Sequence, residues 1–244
     1  MKPLIAFLAG VVAVVATLAV VGAEEKAGTA QSQESTQGSD RYSELVEVDG
    51  KFQETFVLPG TRFGDFDKVF LWEAQFEYRA VGPARKTRST MLSTHKREFG
   101  ISEEDRRRFE EIVGEAFEKE IAKAKQFTIV ENIEDIDAST LILRGGLVDI
   151  ISRVPPETVG RSDVYLSSVG AATFVMEFMD AKSGNVVALV AERRSIDTLN
   201  NRSGMAAVPA NSASVMGDIR RWSGDLARKL RDRLDKAIKD DLTA

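Results

Sequence analysis

Apolar side chains recur every third or fourth residue through the last part of the chain, with Arg, Lys and Asp between them. The members of this stripe are Val215, Ile219, Trp222, Leu226, Leu230, Leu234 and Ile238. The spacing predicts an amphipathic helix from Ser214 to about Lys239 with one buried face. A shorter stripe between Phe109 and Ala124 predicts a second such helix. Two helices with one stripe each require a shared apolar surface to cover.

That second helix is predicted to run from about Glu103 to Lys125. Ser102 precedes it, and Asp105 follows three residues later in the style of a capping box. Glu103 and Glu104 suit the positive end of the helix dipole.

The remaining apolar residues follow the period of β-strands. Residues 69–78 alternate and predict a half-buried strand. One side of this strand would carry Phe70, Trp72, Ala74, Phe76 and Tyr78. Residues 127–130 predict a short strand, and 140–151 predict an inner strand with a bulge at Gly145–Gly146.

Two β-rich runs, 171–179 and 186–194, flank the turn 180–185 and predict a hairpin with Gly184 in the left-handed conformation. Alternation puts Phe174, Met176 and Phe178 on the side that packs against the helices. The opposite side carries Val175, Glu177 and Met179.

These elements predict an α/β (α+β) fold, a single mixed sheet of about five strands with both long helices on one face. The globular domain is expected over 44–240, with a tail at 241–244. Two explanations are considered for the face of the sheet that the helices leave uncovered. Either the 154–170 loop or the N-terminal wrap at 45–67 covers it, or it binds a partner or a second copy.

The N-terminal segment predicts export. Lys2 precedes an uncharged apolar run at 4–21, and small residues end it at Val21–Gly22–Ala23. This pattern is typical of a signal peptide over 1–23. The run is also long enough for a retained membrane anchor, so membrane proximity through 4–21 is expected in that case. Residues 24–43 are polar and predict a flexible tether.

Composition excludes several classes of site. The net charge of −5 argues against nucleic acid as a partner. The chain has no cysteine and one histidine, which excludes disulfides, thiolate metal sites and multi-histidine metal sites. His95 lies in a polar stretch without a triad signature and is interpreted as a surface residue. We therefore predict no catalytic, cofactor-binding or metal-binding residue and no cofactor.

Two weaker chemical signals are present. Asp149 and Glu177 lie in predicted strands and are candidates for carboxylate-dependent hydrolysis. Basic residues around the 81–100 connection suggest contact with anionic lipid or an acidic partner, or a solvated surface balanced by nearby acidic residues. The basic residues are Arg85, Lys86, Arg88, Lys96, Arg97 and Arg106–Arg108.

Two stretches resemble a bacterial envelope family catalogued as domain of unknown function 3313. The first is Glu177–Gly184 followed by Ala191–Arg194. The second is Gly217–Ile219 followed by Leu226–Ala227 and Leu230–Asp235. The resemblance implies a sheet-and-two-helix domain without an established activity. Members are often lipoproteins, and this chain departs from that pattern because it lacks cysteine.

Taken together, these features predict a non-catalytic binding or adaptor domain outside the cytoplasm, with an envelope protein as its partner. The alternatives are an envelope hydrolase that uses carboxylates and a lipid-contacting module. The oligomeric state and the identity of the partner stay open.

Overall fold

The computed structural model describes residues 41–81, 98–155, 166–199 and 211–242. The predicted signal segment, most of the tether, His95 and the basic residues between 85 and 97 lie outside these ranges. Within them, no helix is long and apolar enough to cross a membrane.

Eight strands and two α-helices form the main part of the described fold. In chain order they are β1 (Val46–Glu47), β2 (Glu54–Val57), β3 (Lys68–Leu71), β4 (Gln75–Tyr78), α1 (Glu103–Ile121), β5 (Thr128–Val130), β6 (Thr140–Ser152), β7 (Ser168–Asp180), β8 (Val186–Asp197) and α2 (Ser212–Leu242). Both long helices and the hairpin are confirmed, and α2 extends into the predicted tail.

All eight strands form one mixed sheet in the order β1-β2-β8-β7-β6-β3-β5, and β4 also pairs with β6. Strands β3, β4 and β5 lie parallel to their neighbours, and the other pairs are antiparallel. The mixed sheet is confirmed, but the predicted number of five strands is wrong. The N-terminal wrap contributes two strands, and the predicted strand 69–78 divides into β3 and β4.

The division of that strand has a geometric cause. Leu71 pairs with Leu143 and Gln75 pairs with Gly146, so the β3–β4 side has one residue more than β6 between these pairs. One extra residue reverses the alternation of side chains. Val69 and Phe76 therefore both pack into the main core, whereas Phe70 and Trp72 contact each other with ring centroids 6.0 Å apart. The prediction of one shared face for Phe70 through Tyr78 is wrong.

The two helices cover the same face of the sheet, as predicted. Their apolar stripes and the side chains of Phe174, Met176 and Phe178 belong to one buried cluster. The helices are also joined to each other, because Arg231 donates to Glu120 at 2.9 Å. We call the opposite side of the sheet the second face.

The predicted bulge at the glycine pair is displaced. The register shift in β6 lies between Val148 and Ile151, where Asp149 has φ of 54°. Gly145 and Gly146 instead permit close backbone approach. A Cβ on Gly145 would lie 2.1 Å from the Val175 carbonyl oxygen, and one on Gly146 would lie 1.8 Å from that of Gln75.

Candidate functional site

The centre of the second face holds a small apolar patch. Its buried members are Val148, Val175, Leu189 and Ala191, which we call the second-face cluster. Among the described residues, the apolar side chains that pack on it are Tyr42, Leu45 and Phe56. The N-terminal part of the chain thus covers this patch, in agreement with one of the two explanations drawn from the sequence.

A charged group centred on Asp149 lies at one end of the cluster. Arg79 donates through Nε and Nη2 to the two oxygens of Asp149, each at 2.5 Å. Arg193 donates to Asp149 at 2.5 Å and to Thr173 at 2.9 Å. Arg79 also pairs with Glu98 at 2.7 Å. We call these five residues the Asp149 network.

The backbone of β6 aims Asp149 into this network. Its φ of 54° lies in the left-handed region, which Asp tolerates better than most residues but still at a cost. The bulge that contains it interrupts the pairing of β6 with β7. The network thus joins Arg79, directly after β4, to strands β6, β7 and β8 and to the segment before α1.

The charge state of Asp149 follows from its surroundings. Burial by itself raises the pKa of the Asp149 carboxyl, but hydrogen bonds and charges from Arg79 and Arg193 outweigh burial and hold the pKa below its usual range. A carboxylate held ionised between two guanidinium groups is a poor proton donor and a shielded base at neutral pH.

Glu177 occupies the opposite end of the cluster. Arg144 donates to its Oε2 at 3.0 Å through Nε and at 2.6 Å through Nη2, and the Tyr42 hydroxyl donates to Oε1. Burial raises the pKa of Tyr42, and the adjacent Glu177 charge raises it further. The phenol therefore stays protonated, and Glu177 keeps a partner on each oxygen.

The structure does not bring the two candidate carboxylates together. Glu177 pairs with Arg144, which lies five residues from Asp149 on β6. At about 3.3 Å per residue this corresponds to roughly 16 Å, whereas paired glycosidase carboxylates lie about 5 to 9.5 Å apart. Glu177 and Asp149 act as two separate ends of one surface.

Aromatic side chains flank the Glu177 end. The register of β3 with β6 places Phe70 beside Ile142, on the same side of the sheet as Arg144. Trp72 follows at the end of β3 and is 41% exposed. The second face therefore combines exposed indole, arginine and an apolar centre.

The basic residues predicted from the sequence do not come together in one site within the described residues. Arg106 pairs with Glu103 at 3.3 Å and lies over the ring of Tyr78, and Arg108 pairs with Glu104 at 2.5 Å. These contacts agree with a solvated, balanced helix surface. No group of acidic or histidine side chains in the described ranges could hold a metal ion.

Sequence reasoning missed Arg79, Arg193, Arg144 and Tyr42. One signal was available, because Arg144 interrupts an apolar inner strand and a charge in such a position needs a partner. Its partner could not be chosen without the register that places it opposite Glu177.

The fold and this face define a class, the α+β domains with one mixed sheet covered by two helices on one side. No family model matches the chain, and no curated protein matches it. The resemblance to domain of unknown function 3313 therefore stays a prediction.

Solved structures give distant matches. A dodecamer of PelC from Paraburkholderia phytofirmans is 9% identical with a TM-score of 0.32, covering 77% of this chain and 96% of that chain. A Xanthomonas campestris protein of the family DUF330 is 12% identical with a TM-score of 0.37, covering 73% and 89%. A homologue of a neuraminyllactose-binding hemagglutinin from Helicobacter pylori is 11% identical with a TM-score of 0.32, covering 71% and 89%.

Proposed function

We propose that this protein is a non-catalytic binding or adaptor domain of the bacterial envelope, and that it binds a protein partner through the second face of its sheet. The observation that carries the proposal is the state of the two carboxylates. Asp149 and Glu177 are each held by arginine, and they lie at opposite ends of the face. This arrangement suits recognition better than proton transfer.

The composition of the second face supports binding. Trp and Arg are among the residue types that contribute most to protein interfaces, and this face presents Trp72, Arg79 and Arg193. The arginines are positioned by ion pairs on rigid strands, so little side-chain entropy remains to be lost on binding.

The proposed location rests on the N-terminal sequence. Lys2, the apolar run at 4–21 and the small residues at 21–23 support export, either with cleavage or as an anchored form.

Export is tested with a reporter enzyme that is active only outside the cytoplasm, fused after Ala244. We expect the fusion to be active. If the segment is cleaved, the intact mass should correspond to a mature protein that begins at Glu24. A fusion that is expressed at a normal level but is inactive would contradict the proposed location.

Binding is tested by chemical cross-linking in envelope extracts with matched variants. Trp72→Ala removes an exposed side chain of the second face, and Leu242→Ala removes a comparable one at the end of α2, where Leu242 is 64% exposed. We expect Trp72→Ala to weaken a specific cross-link while Leu242→Ala leaves it intact. Equal cross-linking by both variants would argue against the second face.

A further inference from the structure

Residues 41–45 form a strap over the second face. The Leu45 amide donates to the Tyr42 carbonyl at 3.1 Å, which closes the segment into a turn. The turn directs the Tyr42 hydroxyl to Glu177 and the Leu45 side chain to the second-face cluster. Arg41, Ser43 and Glu44 are exposed to solvent.

The attachment of the strap is small compared with what it covers. Two side chains, Tyr42 and Leu45, lie on four buried apolar residues of β6, β7 and β8. Those strands are held by long ladders that do not involve the strap. A segment with so few buried contacts belongs to the low-stability part of a fold and can open without global unfolding.

Glu177 does not lose its charge partner when the strap leaves. Arg144 binds Oε2, whereas Tyr42 binds Oε1. Opening therefore exposes one carboxylate oxygen that water can solvate, and it leaves no buried charge without a counterion. The contacts that opening breaks include the apolar packing of Tyr42 and Leu45 and the hydrogen bond from Tyr42 to Glu177.

We propose that the strap is a reversible cover, which opens as a unit and uncovers the second-face cluster for a partner. This inference rests on the proposed binding role of the second face. The uncovered site is an apolar patch with one carboxylate oxygen at its end. It fits a partner segment that presents a hydroxyl donor to Glu177 and an aliphatic side chain to the cluster, as Tyr42 and Leu45 do.

The absence of cysteine makes this opening measurable, since any introduced thiol is unique. Val175→Cys places a thiol under the strap, and Val190→Cys places a matched thiol in the main core, where Val190 is 5% exposed. The rate of modification by dithiobis(nitrobenzoate) in the full chain then reports local opening at each position. Each thiol variant is combined with Tyr42→Phe or Leu45→Ala.

We expect the thiol of Val175→Cys to react faster than the thiol of Val190→Cys. Loss of the tyrosine hydroxyl should accelerate the reaction at 175 by about tenfold, because a hydrogen bond to a charged acceptor is lost. In each strap variant the reaction at 190 should stay much slower than that at 175, because it requires the main core to unfold. Ala191→Cys serves as the reporter if Val175→Cys does not fold.

Two results would overturn the proposal that the strap opens. One is an equal reaction rate at 175 and 190, and the other is a rate at 175 that neither strap variant changes. The measurement uses purified protein without a partner, so its outcome is independent of the cross-linking result. A strap that opens in a protein without a specific cross-link would refute the binding proposal alone.

Discussion

At the scale of single residues, Gly145 and Gly114 differ in whether the surrounding atoms leave room for a side chain. Gly145 sits where a Cβ would lie 2.1 Å from the Val175 carbonyl oxygen and 2.8 Å from the Met176 Cα. Gly114 lies in the middle of α1, and a Cβ there would contact nothing within 4 Å. The first glycine is required by close strand pairing, and the second only weakens its helix.

Gly114→Ala should raise the free energy of unfolding by about 0.5–1 kcal/mol, since alanine has the higher helix propensity. Gly145→Ala should lower it, because backbone atoms of β7 must move. Urea denaturation of both variants checks the signs, with Gly224→Ala as a second open helical site. A destabilised Gly114→Ala would contradict this account.

The Asp149 network predicts a pH dependence. The pKa of Asp149 is lower in the folded protein than in the unfolded chain, so its contribution to stability is complete above the unfolded value of about 3.9. The contribution is lost as the pH falls through the folded value. Asp149→Asn should cost about 1–2 kcal/mol at pH 7 through lost charged hydrogen bonds at a partly exposed site.

The difference in stability between wild type and Asp149→Asn should shrink as the pH falls below about 3.9 and through the lower pKa of the folded protein. Denaturation at several pH values measures it. Asp65→Asn is the control, because that carboxylate makes an exposed pair with Arg62 at 3.8 Å. A cost that stays constant across the pH range would mean that the charge of Asp149 contributes nothing.

At the scale of elements, the beginning of α1 is defined by its cap. Ser102 has extended backbone angles, and its Oγ accepts from the Asp105 amide at 3.1 Å. The predicted cap is thereby confirmed, and the helix begins at Glu103 as expected.

Ser102→Ala should destabilise the protein by about 1 kcal/mol, because one amide at the start of α1 loses its acceptor. Ser102→Asp should retain most of the stability, since aspartate also caps helices. Thermal unfolding of both variants gives the comparison. If both variants lose the same stability, the loss does not arise from the capping hydrogen bond.

At the scale of the whole molecule, the sheet has two cores of unequal size. The helix-covered core takes in residues from both helices and most strands, whereas the second-face cluster has four buried members. With the strap closed, the middle of this face is therefore buried core, and only its ends are exposed to solvent.

Val175→Lys should therefore destabilise the fold by about 3 kcal/mol or more, because it places an unpaired ammonium in an apolar cluster where Val175 is 7% exposed. Trp72→Ala, at the exposed margin, should change stability little. Circular dichroism and chemical denaturation distinguish the two variants. A stable Val175→Lys would show that this position is open surface.

The features that the sequence alone determined are local. The stripes of α1 and α2, the cap at Ser102 and the hairpin closed by Gly184, whose φ is 71°, depend on residues a few positions apart. Near neighbours along the chain suffice to define a period of 3.6, a capping hydrogen bond or a left-handed turn position.

The tertiary structure alone decided which side chains of β3 and β4 face the main core, how many strands form and which charged residues pair. Arg79 and Asp149 are 70 positions apart, and Arg144 and Glu177 are 33 apart. Which residues meet across a sheet depends on register, and one extra residue between β3 and β4 is enough to reverse the faces. Register is set by packing of the whole sheet against the helices, so no local pattern contains it.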